Sequence, residues 1–195
     1  SLLISFARIS IATLLSVAVS IPLALATVSS PLVEDFVKPL TDFMRFIPVT
    51  AFYPLLIMWI GIGESMKIIF LFMATFFYFF PTVILAFRAV PHVLVETAMT
   101  AGISRLGMMR KVYLPAALPG ICESFLMLDG IGLTYIIVAE NINTTHGLGH
   151  IMQIGSARGR TDMVFAAMFI IIFVSILIDT VGRLLIRRGF KWYSR

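Results

Sequence analysis

Acidic side chains interrupt two long apolar runs of this sequence, where a charged group is costly. Asp129 lies near the middle of one run, where insertion scales give a lone carboxylate a cost of roughly 2.5 to 3.5 kcal/mol. It must therefore face protein, water or a partner charge. Two interpretations stay open: a residue of a transport pathway or gate, or a structural hydrogen bond to Thr134 or Tyr135. In the other run Asp179 lies one helical turn before Arg183, which predicts a structural ion pair.

Histidine and aspartate patterns give little support for a metal centre or an enzyme. His146 and His150 have the i, i+4 spacing that binds zinc on a helix, but the glycines between them argue against a helix there. Asp129 and Asp179 on separate runs suggest an intramembrane aspartyl protease, yet its G-x-G-D context is absent at both. No G-x-x-x-x-G-K-[ST] loop occurs to cradle ATP. We predict no catalytic residue, metal site or bound cofactor.

The composition indicates a membrane protein. Of the 195 residues, 59% are hydrophobic and only 13% are charged, and the mean hydropathy is +1.01. A soluble domain of this size needs more polar surface, so the bilayer is the expected solvent. The net charge of +5 does not indicate nucleic acid as a partner, because Lys and Arg cluster beside apolar runs instead of forming a basic face with interleaved aromatic residues.

About five apolar stretches are long enough, or nearly so, to cross a hydrocarbon core of roughly 30 Å as helices. They predict an all-α polytopic membrane protein with one transmembrane domain over residues 1–195. Pro48 and Pro54 interrupt the second stretch, and such breaks must be covered by neighbours or face a cavity. Because the chain enters an apolar run almost at Ser1, we expect that a preceding span is missing. The predicted spans are 9–28, 46–60, 68–87, 119–139 and 164–186.

The distribution of Lys and Arg predicts the orientation, because cytoplasmic loops are enriched in these residues. If the loops after the first, third and fifth spans share one side, the other side keeps only Arg8, Lys67, Arg158 and Arg160. We therefore expect a multi-pass protein of the cell membrane with a cytoplasmic C-terminus. The predicted cytoplasmic set is Lys38, Arg45, Arg88, Arg105, Arg110, Lys111, Arg183, Arg187, Arg188, Lys191 and Arg195.

Residues 96–115 form the longest polar interruption on that side, and their pattern indicates folded structure. A stretch rich in helix formers ends before Gly102, at the usual position of a helix-terminating glycine. Ser104 is suited to cap a second short helix that ends before Pro115. Two short helices around a glycine elbow predict a compact, re-entrant hairpin.

Small and charged residues define the surface of this predicted hairpin. Glu96 would place a negative group at the start of the first helix, and Ala98 and Ala101 would permit close contact. Arg105 would lie on the second helix with other basic residues. One interpretation is a docking surface for a groove on a soluble partner. The other is a loop whose basic residues contact anionic lipid head groups of the bilayer, and the residues alone leave both open.

The hairpin also carries a family resemblance. Glu96, Gly102 and residues 112–115 have the spacing of the EAA signature, E-A-A, a glycine, then I-x-L-P, of permease subunits in binding-protein-dependent ABC importers. Thr97 stands where Ala is usual and Val112 where Ile is commoner. The resemblance extends over essentially the whole chain. The stretches that resemble the nitrate, sulfonate, taurine and bicarbonate permease branch are 45–48, 59–64, 138–140, 147–149 and 162–166.

This resemblance implies a type I importer fold, with about five transmembrane helices and a cytoplasmic coupling-helix hairpin. Two permease chains, here expected as a homodimer, would form the pathway, and each hairpin would insert into a subunit of an ABC ATPase dimer that binds ATP and Mg²⁺. An extracytoplasmic solute-binding protein would deliver nitrate, a sulfonate, taurine, bicarbonate or a vitamin precursor. The alternative is an ion-coupled secondary transporter, which shares spans, proline breaks and buried carboxylates.

The resemblance also points to site residues. Glu140 matches the branch pattern, which favours a pathway or gating residue over a solvated helix end, and Asn141 beside it is suited to line an external mouth. The implied ATPase-coupling residues are Glu96, Ala98, Ala101, Gly102, Arg105, Leu114 and Pro115. The candidate pathway or gate residues are Glu140, Asn141 and Pro48, together with Asp129, which does not match the family pattern and is a candidate only because of its position in an apolar run.

Overall fold

The structure is a computed structural model, and it describes residues 2–44, 46–140 and 146–191 apart from the side chains of Leu2, Arg105 and Asp129. A 3₁₀ turn precedes α3, and a π turn joins α6 to α7. The elements are α1 (Leu2–Ser29), α2 (Pro31–Met44), the 3₁₀ turn (Val49–Ala51), α3 (Phe52–Ile60), α4 (Glu64–Arg88), α5 (His92–Thr100), α6 (Arg105–Met108), the π turn (Met109–Tyr113), α7 (Leu114–Ala139), α8 (Leu148–Ala157) and α9 (Thr161–Gly189).

The helix lengths fit a bilayer protein. Within the described residues, four helices are long and apolar enough to cross a membrane: Leu3–Ser29, Glu64–Arg88, Leu106–Ala139 and Thr161–Gly189. The pair Pro31–Met44 and Val49–Ile60, bent by 82°, adds a fifth if it forms one broken span. The predicted all-α fold with about five transmembrane helices is therefore confirmed.

The predicted second span, 46–60, is wrong in its bounds. Its helical part is α3, whose 9 residues reach only about 13 Å, and α2 supplies the remaining length before the bend. Pro54 does not interrupt α3, because it lies in the first turn, where the missing N–H leaves no helical hydrogen bond unmade. Pro48 alone marks the break, with extended backbone (φ −72°, ψ 98°) before the 3₁₀ turn.

Close packing of α1 against α4 forms the centre of the bundle. Small side chains on one face of α1, including Ala12, Ser16 and Ala24, are buried and allow the two backbones to approach closely. The hydroxyls of Ser16 and Thr75 lie 2.6 Å apart across the helix pair. In lipid, such a hydrogen bond fixes which faces of the two helices meet. Apolar contacts alone would leave the helices free to rotate against each other.

The phenylalanines of α4 fill this core. Phe79 and Phe80 are buried, and the ring of Phe76 stacks on that of Phe80 with centroids 5.3 Å apart. α7 packs on both α1 and α4, where Ile136 is fully buried, while α9 packs on α7 and α8 and is otherwise exposed at the edge of the bundle. The bundle has two ends: one lies at the start of α4, and the other lies where α5 and α6 follow α4.

Candidate functional site

A cluster of charged side chains, buried except for Glu64, lies at the end of the bundle where α4 begins. Arg8 of α1 forms two parallel bonds with Glu64 of α4, Nε to Oε2 and Nη2 to Oε1, both 2.6 Å. Its third nitrogen, Nη1, lies 2.6 Å from Oε1 of Glu140 at the end of α7. Lys67 Nζ contacts Glu64 Oε1 at 3.2 Å. We call these residues, with Ser5, the Arg8 network, and their four charges cancel.

Glu140 is the innermost member of this network, and its side chain is 0% exposed. Its carboxylate accepts hydrogen bonds from the Ser5 hydroxyl (2.6 Å) and from the Gly149 N–H (2.9 Å), besides the guanidinium of Arg8. Ser5 Oγ in turn accepts the Leu148 N–H at 3.1 Å. The interpretation of Glu140 as a solvated helix end is therefore wrong. The carboxylate holds the start of α8 against α1 and α7.

Two glycines make this close approach possible. Gly147 has φ +143°, a conformation that side-chain-bearing residues rarely adopt, and a Cβ there would overlap the carboxylate of Glu140. A Cβ on Gly149 would lie 2.7 Å from Cβ of Glu140. Gly147 and Gly149 thus leave room for a buried carboxylate at the start of a helix.

The two histidines do not form a metal site in the structure. His146 precedes α8, whereas His150 lies in its first turn, so the i, i+4 spacing does not place them on one helix face. Our expectation that glycine would prevent a helix here is wrong, because α8 begins at Leu148. Among the described residues, no group of three or more His, Cys, Asp or Glu side chains is arranged to hold a metal ion.

The opposite end of the bundle carries a helical hairpin. α5 ends in a Schellman motif, in which Ile103 N–H donates to Ala98 O (3.2 Å) and Gly102 N–H to Met99 O (3.0 Å). Gly102 has φ +71°, as this motif requires. Ser104 Oγ accepts the Gly107 N–H at 3.2 Å and so caps α6. The structure thus has the glycine elbow and the serine cap where the sequence pattern placed them.

Other features of the predicted hairpin need correction. Glu96 lies in the second turn of α5, since the helix begins at His92, and not at the helix start. Ala98 is only 6% exposed and packs inward with Val95 and Met108, so it is not part of the outer surface. Ala101 and Gly102 are exposed.

The second arm of the hairpin does not end before Pro115. The helical path from α6 through the π turn continues without a break to the end of α7. In a regular α-helix, proline would clash with the carbonyl four residues earlier and remove a hydrogen bond. The π turn Met109–Tyr113 widens the helix just before Pro115 and makes room for it. Leu114 is half-buried at this junction, and Pro115 is exposed.

The remaining candidate residues are separate from the Arg8 network. Asp179 and Arg183 form the predicted ion pair on α9, with Oδ2 2.8 Å from Nε, which confirms that expectation. Pro48 is exposed at the bend before α3. Asn141 lies outside the described residues, as do the side chains of Asp129 and Arg105, although the backbones of the latter two belong to α7 and α6.

Comparison with solved structures identifies the fold. The fold is that of type I ABC importer permeases. A chain of the MetNI methionine ABC transporter in an inward-facing conformation superposes with a TM-score of 0.82, covering 94% of this chain and 92% of that chain at 20% identity. A chain of an amino acid ABC transporter crystallised with histidines gives a TM-score of 0.81, covering 96% and 91% at 18% identity.

Sequence comparison then identifies the family. The chain belongs to the binding-protein-dependent transport system inner membrane component family, whose profile matches residues 16–191. It is 32% identical to the taurine transport system permease protein TauC of Escherichia coli K12 over 190 residues, 97% of this chain and 69% of TauC. It is 27% identical to the riboflavin transport system permease protein RibX of Chloroflexus aurantiacus, over 82% of this chain and 59% of RibX. The resemblance seen in the motifs is confirmed, and the family is one of transport permeases, not enzymes.

Proposed function

We propose that this chain is the transmembrane subunit of an ATP-driven importer, which forms the solute pathway with a second copy and couples to a separate ATPase. The hairpin of α5 and α6 is the observation that carries this proposal. It projects from one end of the bundle and exposes apolar side chains. Because the hairpin is a polar loop outside the spans, lipid does not cover these side chains. Val93 is 69% exposed, Met99 64% and Leu106 58%. Such a patch on a folded, capped hairpin suits a groove on a protein partner.

The packing beneath the hairpin also supports docking. A cavity of about 300 Å³ separates it from the end of α1, between Val28, Val95, Met108 and Tyr113. Methionine-rich, incompletely filled packing permits small movements of the hairpin relative to α1. The helical continuity from α6 into α7 gives such movements a direct route into the spanning region.

Gly102 provides the test of the coupling role. A Cβ at Gly102 meets nothing within 4 Å, so its replacement disturbs only the elbow and the partner surface. Gly159, which follows α8 at the other end of the bundle, has φ +66° and equally open surroundings, and it ends its helix with the same hydrogen-bond pattern, which makes it a matched control for backbone strain. We expect Gly102→Val to insert normally but to lose stable co-purification with the cognate ATPase, or to retain ATP hydrolysis without transport. Gly159→Val should keep the ATPase bound.

Coupled transport by the Gly102→Val complex at the unmodified rate would contradict the proposed docking role. The rival function, an ion-coupled secondary transporter, has a separate signature. Purified permease without an ATPase would then accumulate solute in vesicles that hold an ion gradient and no ATP. That outcome would refute the importer proposal as a whole.

The solute class is proposed from the relatives, since TauC is named for taurine and a Bacillus subtilis relative, 30% identical over 97% of this chain, is named SsuC for aliphatic sulfonates. We expect a small organic sulfonate, delivered by an extracytoplasmic binding protein. The experiment is to purify the cognate binding protein and identify the ligand that it carries. A nitrate or vitamin ligand would contradict the sulfonate assignment.

Orientation and gating complete the proposal. The Lys and Arg distribution supports a cytoplasmic hairpin end and an Arg8 network at the outer face. There Glu140 would act as a gate residue by fastening the start of α8 across the outer end of α1 and α7. Asp129, Asn141 and Pro48 are the other proposed pathway or gate residues. A reporter fused to the C-terminus that is active only in the external compartment would contradict this orientation.

A further inference from the structure

Charged side chains lie exposed at a groove between α7 and α9. It has a volume of about 340 Å³, and its walls include Gly130 on α7 and Ser175 and Asp179 on α9. The ion-paired side chains of Asp179 and Arg183 are 43% and 56% exposed. Glu123 of α7 is also exposed and lies near enough to attract the Arg183 guanidinium.

The depth of this groove in the membrane follows from the Arg8 network, which joins α1, α4 and α7 at one boundary. Leu126 lies about 14 residues before Glu140 on α7, hence about 21 Å from that boundary and about 9 Å inside the other one, for a core of roughly 30 Å. A Cβ at Gly182 would lie 3.0 Å from Leu126 Cδ1, so α9 crosses α7 at that depth.

Asp179 lies one turn closer to the network end than Gly182, because α9 runs antiparallel to α7. It is therefore about 13 Å from the nearer boundary, close to the middle of the hydrocarbon region. Half-exposed charges at this depth do not face lipid, because ionisable side chains in spans turn toward protein or a water-filled cavity.

We propose that this groove lines the water-filled translocation pathway and that Asp179 and Arg183 contact the solute there. This rests on the proposed importer function and specifies the solute class: a small molecule that carries both an amino group and an anionic group. The carboxylate of Asp179 lines the groove, its partner Arg183 lies beside it, and Glu123 is near Arg183. A purely anionic solute would be repelled by Glu123 and Asp179, and a purely cationic one by Arg183.

The concave shape favours a solute over a second copy of the chain as the occupant. A helix from a second copy packed into the groove would remove both charges from water, and that desolvation is costly even for a paired ion. A small zwitterion instead exchanges one internal ion pair for two external ones, and water keeps the empty groove hydrated.

Water access is tested first, in the assembled complex with its ATPase and binding protein. Cys122, the one cysteine of the sequence, is replaced by Ser, and Ser175→Cys or Leu177→Cys is added. Leu177 has nearly the same depth but lies about 200° around α9 from Asp179, and it is 52% exposed. We expect a membrane-impermeant thiosulfonate to label Ser175→Cys, more slowly in excess taurine, and not Leu177→Cys. Absence of Ser175→Cys labelling would show that lipid or a second copy fills the groove, and would overturn the proposal.

Solute contact is tested by uptake of two probes that differ only in an amino group, taurine and ethanesulfonate. Asp179→Asn should reduce the preference for taurine by about tenfold or more, since a charge-assisted hydrogen bond to the ammonium is lost. The matched control is Asp162→Asn, which removes the exposed Arg160–Asp162 pair at the end of the same helix and should leave the preference unchanged.

Equal losses of both probes in Asp179→Asn would mean that Asp179 only positions α9, and would overturn its assignment as a solute contact. If the unmodified complex transports neither probe, the assigned solute class is wrong. Failure of the importer proposal itself would be recognised separately, by the absence of any ATPase bound to the permease.

Discussion

Replacement of Glu140 should destabilise the protein strongly, because it removes one partner from a buried ionic network. Glu140→Gln keeps the side-chain volume but leaves Arg8, Glu64 and Lys67 with an unbalanced positive charge. Breaking a buried pair in this way costs about 3 to 5 kcal/mol. We expect the lower end, about 3 kcal/mol, because Arg8 retains its two bonds to Glu64. The Ser5 hydroxyl and the Gly149 N–H bond to different oxygens of Glu140, so the single amide oxygen of glutamine can keep only one of these hydrogen bonds.

The assay is thermal unfolding of the purified protein in detergent, followed by circular dichroism. For a domain of this size, about 3 kcal/mol corresponds to a decrease in Tm of about 6 to 12 °C. Asp162→Asn is the control, because its ion pair with Arg160 has the same 2.6 Å separation but is well exposed, and its loss should leave Tm unchanged.

A double-substitution cycle gives the sharper test of this reasoning. Arg8→Met alone removes the guanidinium that pairs with Glu140 and leaves Glu64 paired with Lys67, and it should also lower Tm. Arg8→Met with Glu140→Gln restores neutrality, because one glutamate and one lysine remain. We therefore expect the double variant to be more stable than the sum of the single effects predicts, by about 1 to 2 kcal/mol. Additive effects would refute the network as a coupled unit.

Two further substitutions test local packing. Gly147→Ala should lower Tm by more than Gly61→Ala, because both positions combine positive φ with extended ψ (172° and 175°) but only a Cβ at Gly147 would overlap Glu140. Gly61 has open surroundings, so equal decreases in Tm would show that backbone strain alone matters. Thr75→Val removes the hydroxyl that contacts Ser16 across α1 and α4, and we expect a loss of about 0.6 kcal/mol, measured as a small decrease in Tm. A decrease as large as that of Glu140→Gln would contradict this assignment of energies.

Local patterns in the sequence predicted the features that depend on neighbouring residues. Hydropathy located the four long spans, and the glycine elbow at Gly102 follows from the requirement for positive φ at a helix end. The Asp179–Arg183 pair follows from helical spacing alone. In each of these cases the physical cause lies within one or two helical turns of the chain, so that a single segment contains it.

The Arg8 network could not be predicted in that way. Arg8 lies 56 residues from Glu64 and 132 from Glu140, so no local pattern connects them. The same long-range contact explains why the start of α8 was missed. Considered alone, Gly147 and Gly149 argue against a helix. Only the position of the Glu140 carboxylate shows why small residues stand where this helix begins. Pro115 similarly signals a helix end unless the preceding π turn is known.

The two ends of the bundle differ in a way that matters for the proposed coupling. At the network end, charged bonds join α1, α4 and α7, and the buried side chains of Arg8 and Glu140 have their charged partners in this arrangement. At the hairpin end, methionine and valine side chains surround a cavity, and such incompletely filled packing opposes small movements less. The helical path from α6 to Ala139 joins these ends across the membrane. A displacement of the hairpin by a bound ATPase would therefore reach Glu140 as a movement of α7, and the network would resist it until its bonds to Arg8 and Gly149 break together.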